Sequence, residues 1–266
     1  MTDLPFVMVA PNGARLTKAD HPAVPVTIDE IVACTLACRA AGADGLHAHV
    51  RDPEQRHVLD AGLYAELLSE LALRAPGFYV QITSEAAGAF TPAEQRRLIQ
   101  DLQPDAVSVA LREITAQQDA AVTRRFFAMC HEAGIGVQHI LYDQADVAHL
   151  ARLVAGGDVP RAGLKALIVL GRYTTGQTTA PADVAHLGLS LTSALPGVDW
   201  SACAFGPTET ACLIEAMRHG GKARIGFENN RMNADGSVAA DNAERVAELV
   251  TQTERGGFAL QQETPS

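Results

Sequence analysis

Two histidines, His47 and His49, occupy alternate positions in the run GLHAHVRD. Successive side chains of a strand point to opposite faces, so this spacing sets both imidazoles on one side, where they could share a partner. Two imidazoles and a carboxylate form the ligand set of a catalytic zinc site, with the remaining position open to water or substrate. A carboxylate of interest stands far along the chain, in RIGFENN, where Glu228 follows Arg224 by four residues and so faces the same way. Blander readings stand beside this one. A strand histidine can be a hydrogen-bonded core residue, and Arg224 with Glu228 can be a buried ion pair that needs no metal.

The elements that carry these residues decide between the readings. Short apolar runs (FVMVA, DGLHAHV, FYVQIT, AVSVAL, GVQHILY, ALIVLG, DWSACAF, ARIGFE) alternate with longer segments of helical period. The helical segments begin with IDEIVACTLACRAAG and end with AADNAERVAELVTQTERG, and one of them, TAQQDAAVTRRFFAMCHEAG, reads as a single long helix. Thr27 and Glu30 have capping-box spacing, and Gly42, Gly134 and Gly220 stand where helices should stop. Strands alternating with amphipathic helices imply parallel pairing, and eight units imply one closed (β/α)8 barrel over residues 1–266, ending in a frayed tail, QQETPS. An open doubly wound sheet is the alternative, but the turn after the first strand reads APNGARLT and lacks the GxGxxG of that fold.

In such a barrel, functional groups gather at the C-terminal ends of the strands, and the polar residues of this chain gather there too. Asn12 and Arg15 follow the first strand, and Arg51 and Asp52 extend the histidine strand. Thr83, Ser84 and Glu85 follow the third, Arg112 and Glu113 the fourth, and Gln138, His139 and Asp143 mark the fifth. Arg172 and Tyr173 follow the sixth, and Asn229 and Asn230 follow Glu228. Closure would put Glu228 two strand spacings, about 10 Å at the backbone, from the histidine strand, which favours a shared metal. The remaining histidines, His57 among them, fall in expected loops or helices, where a solvated or capping role is the default.

Bulk properties exclude other classes. A formal net charge of −10 disfavours a nucleic-acid surface, although a few local arginines could still hold a small anion. No apolar run is long enough for a membrane span, and the N-terminus has no signal-peptide pattern. Five scattered cysteines without metal or disulfide spacing suit a reducing cytoplasm.

The segments NGARLTKADHPAVPVTIDEI, AGADGLHAHVRDP, QITSEAAG and GGKARIGFENNRMNADGSVAADNAERV, in this order, resemble the β-keto acid cleavage enzymes, whose founding activity is 3-keto-5-aminohexanoate cleavage. The resemblance implies a (β/α)8 barrel, typically a homotetramer, that binds a divalent metal, usually zinc. Its reaction is a Claisen-type exchange of a β-keto acid with acetyl-CoA that gives acetoacetate and a new acyl-CoA. Carried over by position, His47, His49 and Glu228 would be the metal ligands. Arg224 would stabilise anionic intermediates, and Thr83 or Ser84 would assist at the thioester. Apart from the resemblance, the strand-end positions of Asn12, Arg15, Glu85, Glu113 and Gln138 make them expected substrate contacts.

Two departures from the family pattern stand out. Asn229 takes the place of the carboxylate that acts as base, and an amide cannot accept a proton at neutral pH, so Glu85, Glu113 or Asp143 would have to serve. Arg15 takes the place of a glutamate, which favours an acidic or neutral substrate tail. Two alternatives remain open: a CoA-independent lyase or hydrolase on the same barrel, and a metabolite-binding homologue without turnover.

Overall fold

A computed structural model describes residues 2–255; the expected frayed tail lies outside them. Eight parallel strands close into a barrel in chain order: β1 (Val7–Val9), β2 (Gly45–Ala48), β3 (Tyr79–Thr83), β4 (Ala106–Ala110), β5 (Gly136–Leu141), β6 (Lys165–Leu170), β7 (Asp199–Ala204) and β8 (Lys222–Ile225). Closure is made by β1 against β8, with Met8 opposite Arg224. The chain is therefore a (β/α)8 barrel.

Helices α1 (Ile28–Ala40), α2 (Ala61–Arg74), α3 (Pro92–Leu102), α4 (Leu111–Ile114), α5 (Ala120–Glu132), α6 (Gln144–Ala155), α7 (Pro181–Ala194), α8 (Glu209–Arg218) and α9 (Asn242–Arg255) surround it. The Thr27–Glu30 capping box forms as expected. The long helix expected at 115–134 is instead broken. Its first residues complete a turn begun by α4, which starts directly where β4 ends, and Asp119 then accepts a hydrogen bond from the Ala121 amide at 2.8 Å and starts α5 afresh.

Alternation along each strand divides the side chains between two cores. Val7, Val9, Leu46, Ile82, Val107 and Ile168 point outward and pack against helix residues such as Ile31, Leu67, Leu98 and Leu249. Inside the barrel, Ala110, Ile140, Leu167, Val169, Cys203 and Phe205 form a second apolar cluster on the side of β4 to β7. The opposite interior wall carries buried His47, Gln81, Thr83 and Arg224 on β2, β3 and β8. The β2, β3 and β8 wall thus carries the histidine and arginine, while the β4 to β7 side is apolar toward the mouth and has Ser108, Gln138 and Ser201 deeper in. Among the described residues, no helix is long and apolar enough to cross a membrane.

Candidate metal centre

His47 lies on β2, and His49 stands just past its end. Glu228 is not on a strand as expected. β8 stops at Ile225, and the chain turns at Gly226, whose φ is +141° and whose absent Cβ would lie 2.5 Å from the Ala10 carbonyl oxygen. Only glycine allows that close approach to the end of β1. The turn carries Glu228 back over the barrel mouth, so closure and turn together bring it to the histidines.

The His47 and His49 Nε2 atoms are 3.2 Å apart. Glu228 Oε2 lies 3.7 Å from His47 Nε2, and Glu228 Oε1 lies 3.8 Å from His49 Nε2. One donor atom from each of the three residues fits within 4.8 Å of the others. Burial, with Arg224 nearby, lowers the His47 pKa to about 4, and burial beside His57 and His47 pushes His49 well below its ordinary value. Both imidazoles are therefore neutral and have lone pairs to offer. Burial alone would raise Glu228, but the charges of Arg224, Arg172 and Arg51 outweigh it and hold the carboxylate ionised. Glu228 Oε2 is buried without a hydrogen-bond partner. Converging lone pairs and an orphaned carboxylate oxygen are costly unless a cation sits among them, so this donor set fits a divalent metal.

The loop after β1 supports the site. Asn12 Nδ2 donates to the carbonyls of His49 at 2.8 Å and Pro25 at 3.0 Å. The Arg51 guanidinium donates to the Ala14 and Gln55 carbonyls, each at 3.0 Å, and also to that of Gly13. Asn12 and Arg51 are thus used in fixing backbone.

Beside the ligand candidates lies a small cavity lined by His47 and Glu228 together with Thr83, Glu85, Tyr142, Arg172, Phe205 and Arg224. Arg224 Nη2 lies 3.4 Å from both Glu228 Oε1 and Cys203 Sγ, while its Nε and Nη1 are buried without partners. The ion-pair reading of Arg224 and Glu228 is therefore true but incomplete, since each keeps a polar atom free. Glu85 pairs with Arg172 at 2.7 Å and comes within 4.0 Å of His49 Nε2; burial raises its pKa against the pull of Arg172.

Other residues singled out by sequence lie elsewhere. Ser84 Oγ donates to the Ser108 carbonyl at 3.0 Å, turned away from the cavity that Thr83 lines. Glu113 accepts from the Ala86 amide and Gln95, bracing the loop after β3. Asp143 caps α6 and pairs with Arg112. Gln138 sits inside the barrel, bonded to Gln81 and Ser201, whereas His139 faces outward and stacks on Phe127. Asn229 Nδ2 donates to Glu209 Oε1 and the Arg224 carbonyl, each at 3.1 Å. Arg15 is exposed and lines a second, larger and open cavity that adjoins the first through Arg172, Phe205 and Glu228.

Three neighbours of the site escaped sequence reasoning. His57 is half-buried, stacks 4.9 Å from the His49 ring, and its Nε2 reaches the Glu85 carbonyl oxygen at 3.0 Å. An isolated antiparallel bridge between Arg51 and His57 folds that loop back, which no local pattern announced. Cys203 is one of the five scattered cysteines of the sequence, and Glu209 lies in the first turn of α8 with no spacing that marks it. Burial pushes Glu209 up to about 7 against the pull of Arg245.

The fold and the site together describe a (β/α)8 barrel enzyme with a His–His–Glu centre at the C-terminal mouth of its strands. The family model for beta-keto acid cleavage enzymes matches residues 5–262, and the chain belongs to that family. The 3-oxoadipate:acetyl-CoA acetyltransferase of Cupriavidus necator is 24% identical to it, over 97% of this chain and 91% of the relative. The 3-keto-5-aminohexanoate cleavage enzyme of Fusobacterium nucleatum is 23% identical over 92% and 89%, respectively. The 3,5-dioxohexanoate:acetyl-CoA acetone transferase of Paraburkholderia graminis is 23% identical over 98% and 93%. Among solved structures, apo ObcA superposes with a TM-score of 0.71 at 16% identity, covering 89% of this chain. This chain spans 63% of the length of the ObcA chain, and the likeness concerns the fold.

Proposed function

We propose that this chain exchanges the acyl part of a β-keto acid with acetyl-CoA. A bond forms between C2 of the keto acid and the acetyl carbonyl carbon as the acetyl C–S bond breaks, and the released CoA sulfur bonds C3 as the C2–C3 bond of the keto acid breaks. Acetoacetate leaves, and the CoA sulfur carries the remaining acyl group. The observation that carries this reading is the meeting of three metal-ligand candidates with a buried arginine that has two unpartnered nitrogens, at a cavity lined by His47, Glu228 and Arg224.

His47, His49 and Glu228 would hold the cation, and zinc suits that donor set. When bound, it supplies Lewis acidity to the keto carbonyl. The free Arg224 N–H groups bind the anionic oxygens of substrate and intermediates, where a fixed charge in a dry site acts most strongly. Asn229 holds an amide where the family pattern has a base, and among Glu85, Glu113 and Asp143 only Glu85 lines the cavity. Glu85 is thus the carboxylate placed to take a proton from C2. The Thr83 hydroxyl lies on the same wall, where it can donate to the thioester.

Arg15 has no hydrogen bond or ion pair among the described residues, and it lines the outer cavity together with Arg172 and Arg231. A keto acid with a second carboxylate at its far end suits that charge. The family resemblance supports a homotetramer, and the five free cysteines support a reducing, cytoplasmic setting.

The test is product analysis by mass spectrometry after incubation with labelled acetyl-CoA and a panel of β-keto acids. Labelled acetoacetate is expected, with diacids the better substrates. Its absence across the panel would overturn the proposal, and turnover without CoA would point to a lyase or hydrolase.

A further inference from the structure

Gln81 and Gln138 lie fully buried inside the barrel, and neither lines either cavity described above. Gln138 Nε2 donates to the Ala166 backbone carbonyl at 3.1 Å and to Ser201 Oγ at 2.8 Å. A carbonyl only accepts, so this amide cannot be turned round without opposing two oxygens. Gln138 Oε1 must therefore face β3, where it accepts from Gln81 Nε2 at 2.9 Å. That fixes the second amide, whose Oε1 lies 2.9 Å from His47 Nδ1. Turning Gln81 over would set its oxygen against Gln138 Oε1. Room for the reach from β3 to β5 exists because β4, between them, presents only Ala106 and Ser108 to the interior at this level.

We propose that Gln81 and Gln138 are positioning residues: a directional hydrogen-bond chain anchored on the Ala166 carbonyl holds His47 in its Nδ1–H tautomer, so that the Nε2 lone pair faces Glu228 and His49. A free imidazole in water favours the opposite tautomer. The chain therefore decides which nitrogen of His47 is available as a ligand before any cation arrives. An N–H anchored in this way orients the ring and raises ligand basicity. His49 has no such device, because its Nδ1 is buried without a partner. The consequence for metal binding rests on the metal-centre reading above, whereas the tautomer does not.

Two measurements separate these claims. Long-range ¹H–¹⁵N NMR of the metal-free protein, labelled in histidine, reads the tautomer of His47 directly. Nδ1–H is expected in the wild type and in Ser201→Ala, which keeps the carbonyl anchor. Gln81→Leu and Gln138→Leu should lose that tautomer preference. Zinc affinity, measured by competition with a chromophoric chelator, should fall about 10–100-fold in both Leu variants and stay near wild type in Ser201→Ala. An Nε2–H wild type overturns the proposal even if no Leu variant folds. So does unchanged zinc affinity in a folded Gln81→Leu. A wild type that shows Nδ1–H but takes up no zinc sinks the metal reading alone and leaves the hydrogen-bond chain standing.

Discussion

At the scale of single residues, the site depends on how closely other atoms approach its ligands. Gly13 has a φ of +59°, and a Cβ built on it would come within 2.5 Å of Glu228 Cγ. Any side chain there must either distort the loop after β1 or displace the carboxylate, and the loop is pinned by Arg51. Gly13→Ala should therefore move Glu228 and weaken zinc binding roughly tenfold or more, by analogy with disturbed ligand support elsewhere. Competition titration against a chelator measures this. Retained affinity would mean that the Glu228 carboxylate contributes little to holding the cation.

Among the elements, α8, α9 and the turn after β8 are tied together by buried charge. Arg245 of α9 donates to Glu209 Oε2 at 3.0 Å and to Thr210 at 2.8 Å, and it also pairs with Glu248. Glu209 Oε1 in turn accepts from the Gly226 amide and from Asn229, on either side of Glu228. Arg245→Met would leave Glu209 buried without its cation, and breaking such a pair from one side costs about 3–5 kcal/mol. Denaturant unfolding should show that loss. A change below about 1 kcal/mol would show that the network is not structural.

The outer face of β5 has its own signature. Burial keeps His139 neutral in the folded chain, with a pKa near 3 against an ordinary value of 6.5. Below 6.5 the unfolded chain takes up a proton that the folded chain refuses. This contribution to stability is therefore complete above pH 6.5, and it declines as the pH falls toward 3 by about 1.4 kcal/mol per unit. In His139→Phe the stability profile should be flatter across that window by this slope. An identical profile would mean that the imidazole is solvated in the native state.

Across the whole molecule, charge is distributed unevenly. The net charge is −10, yet the outer cavity gathers Arg15, Arg172 and Arg231 at its walls. An acidic body repels anions in general, so selectivity for an anionic substrate must come from these few guanidinium groups at short range. Arg15→Glu should raise KM for a β-keto diacid about tenfold and improve turnover of keto acids with a cationic tail, with kcat changing less. Steady-state kinetics on matched substrates checks it. An unchanged ratio would place the substrate tail elsewhere.

Period and punctuation in the sequence were enough to determine the eight strand–helix units, because burying alternate or every third-to-fourth side chain is a local demand. The same alternation put His47 and His49 on one face, and strand count brought Glu228 round to meet them. What sequence left open was settled by contacts between residues far apart in the chain. The end of β8 at Gly226, the fold-back of His57 and the pairing of Glu209 with Arg245 depend on close approach between segments that share no local pattern. The order of amides from Ala166 to His47 is of the same kind. A hydrogen bond has a direction only once donor and acceptor are both in place, and here they come from four different strands.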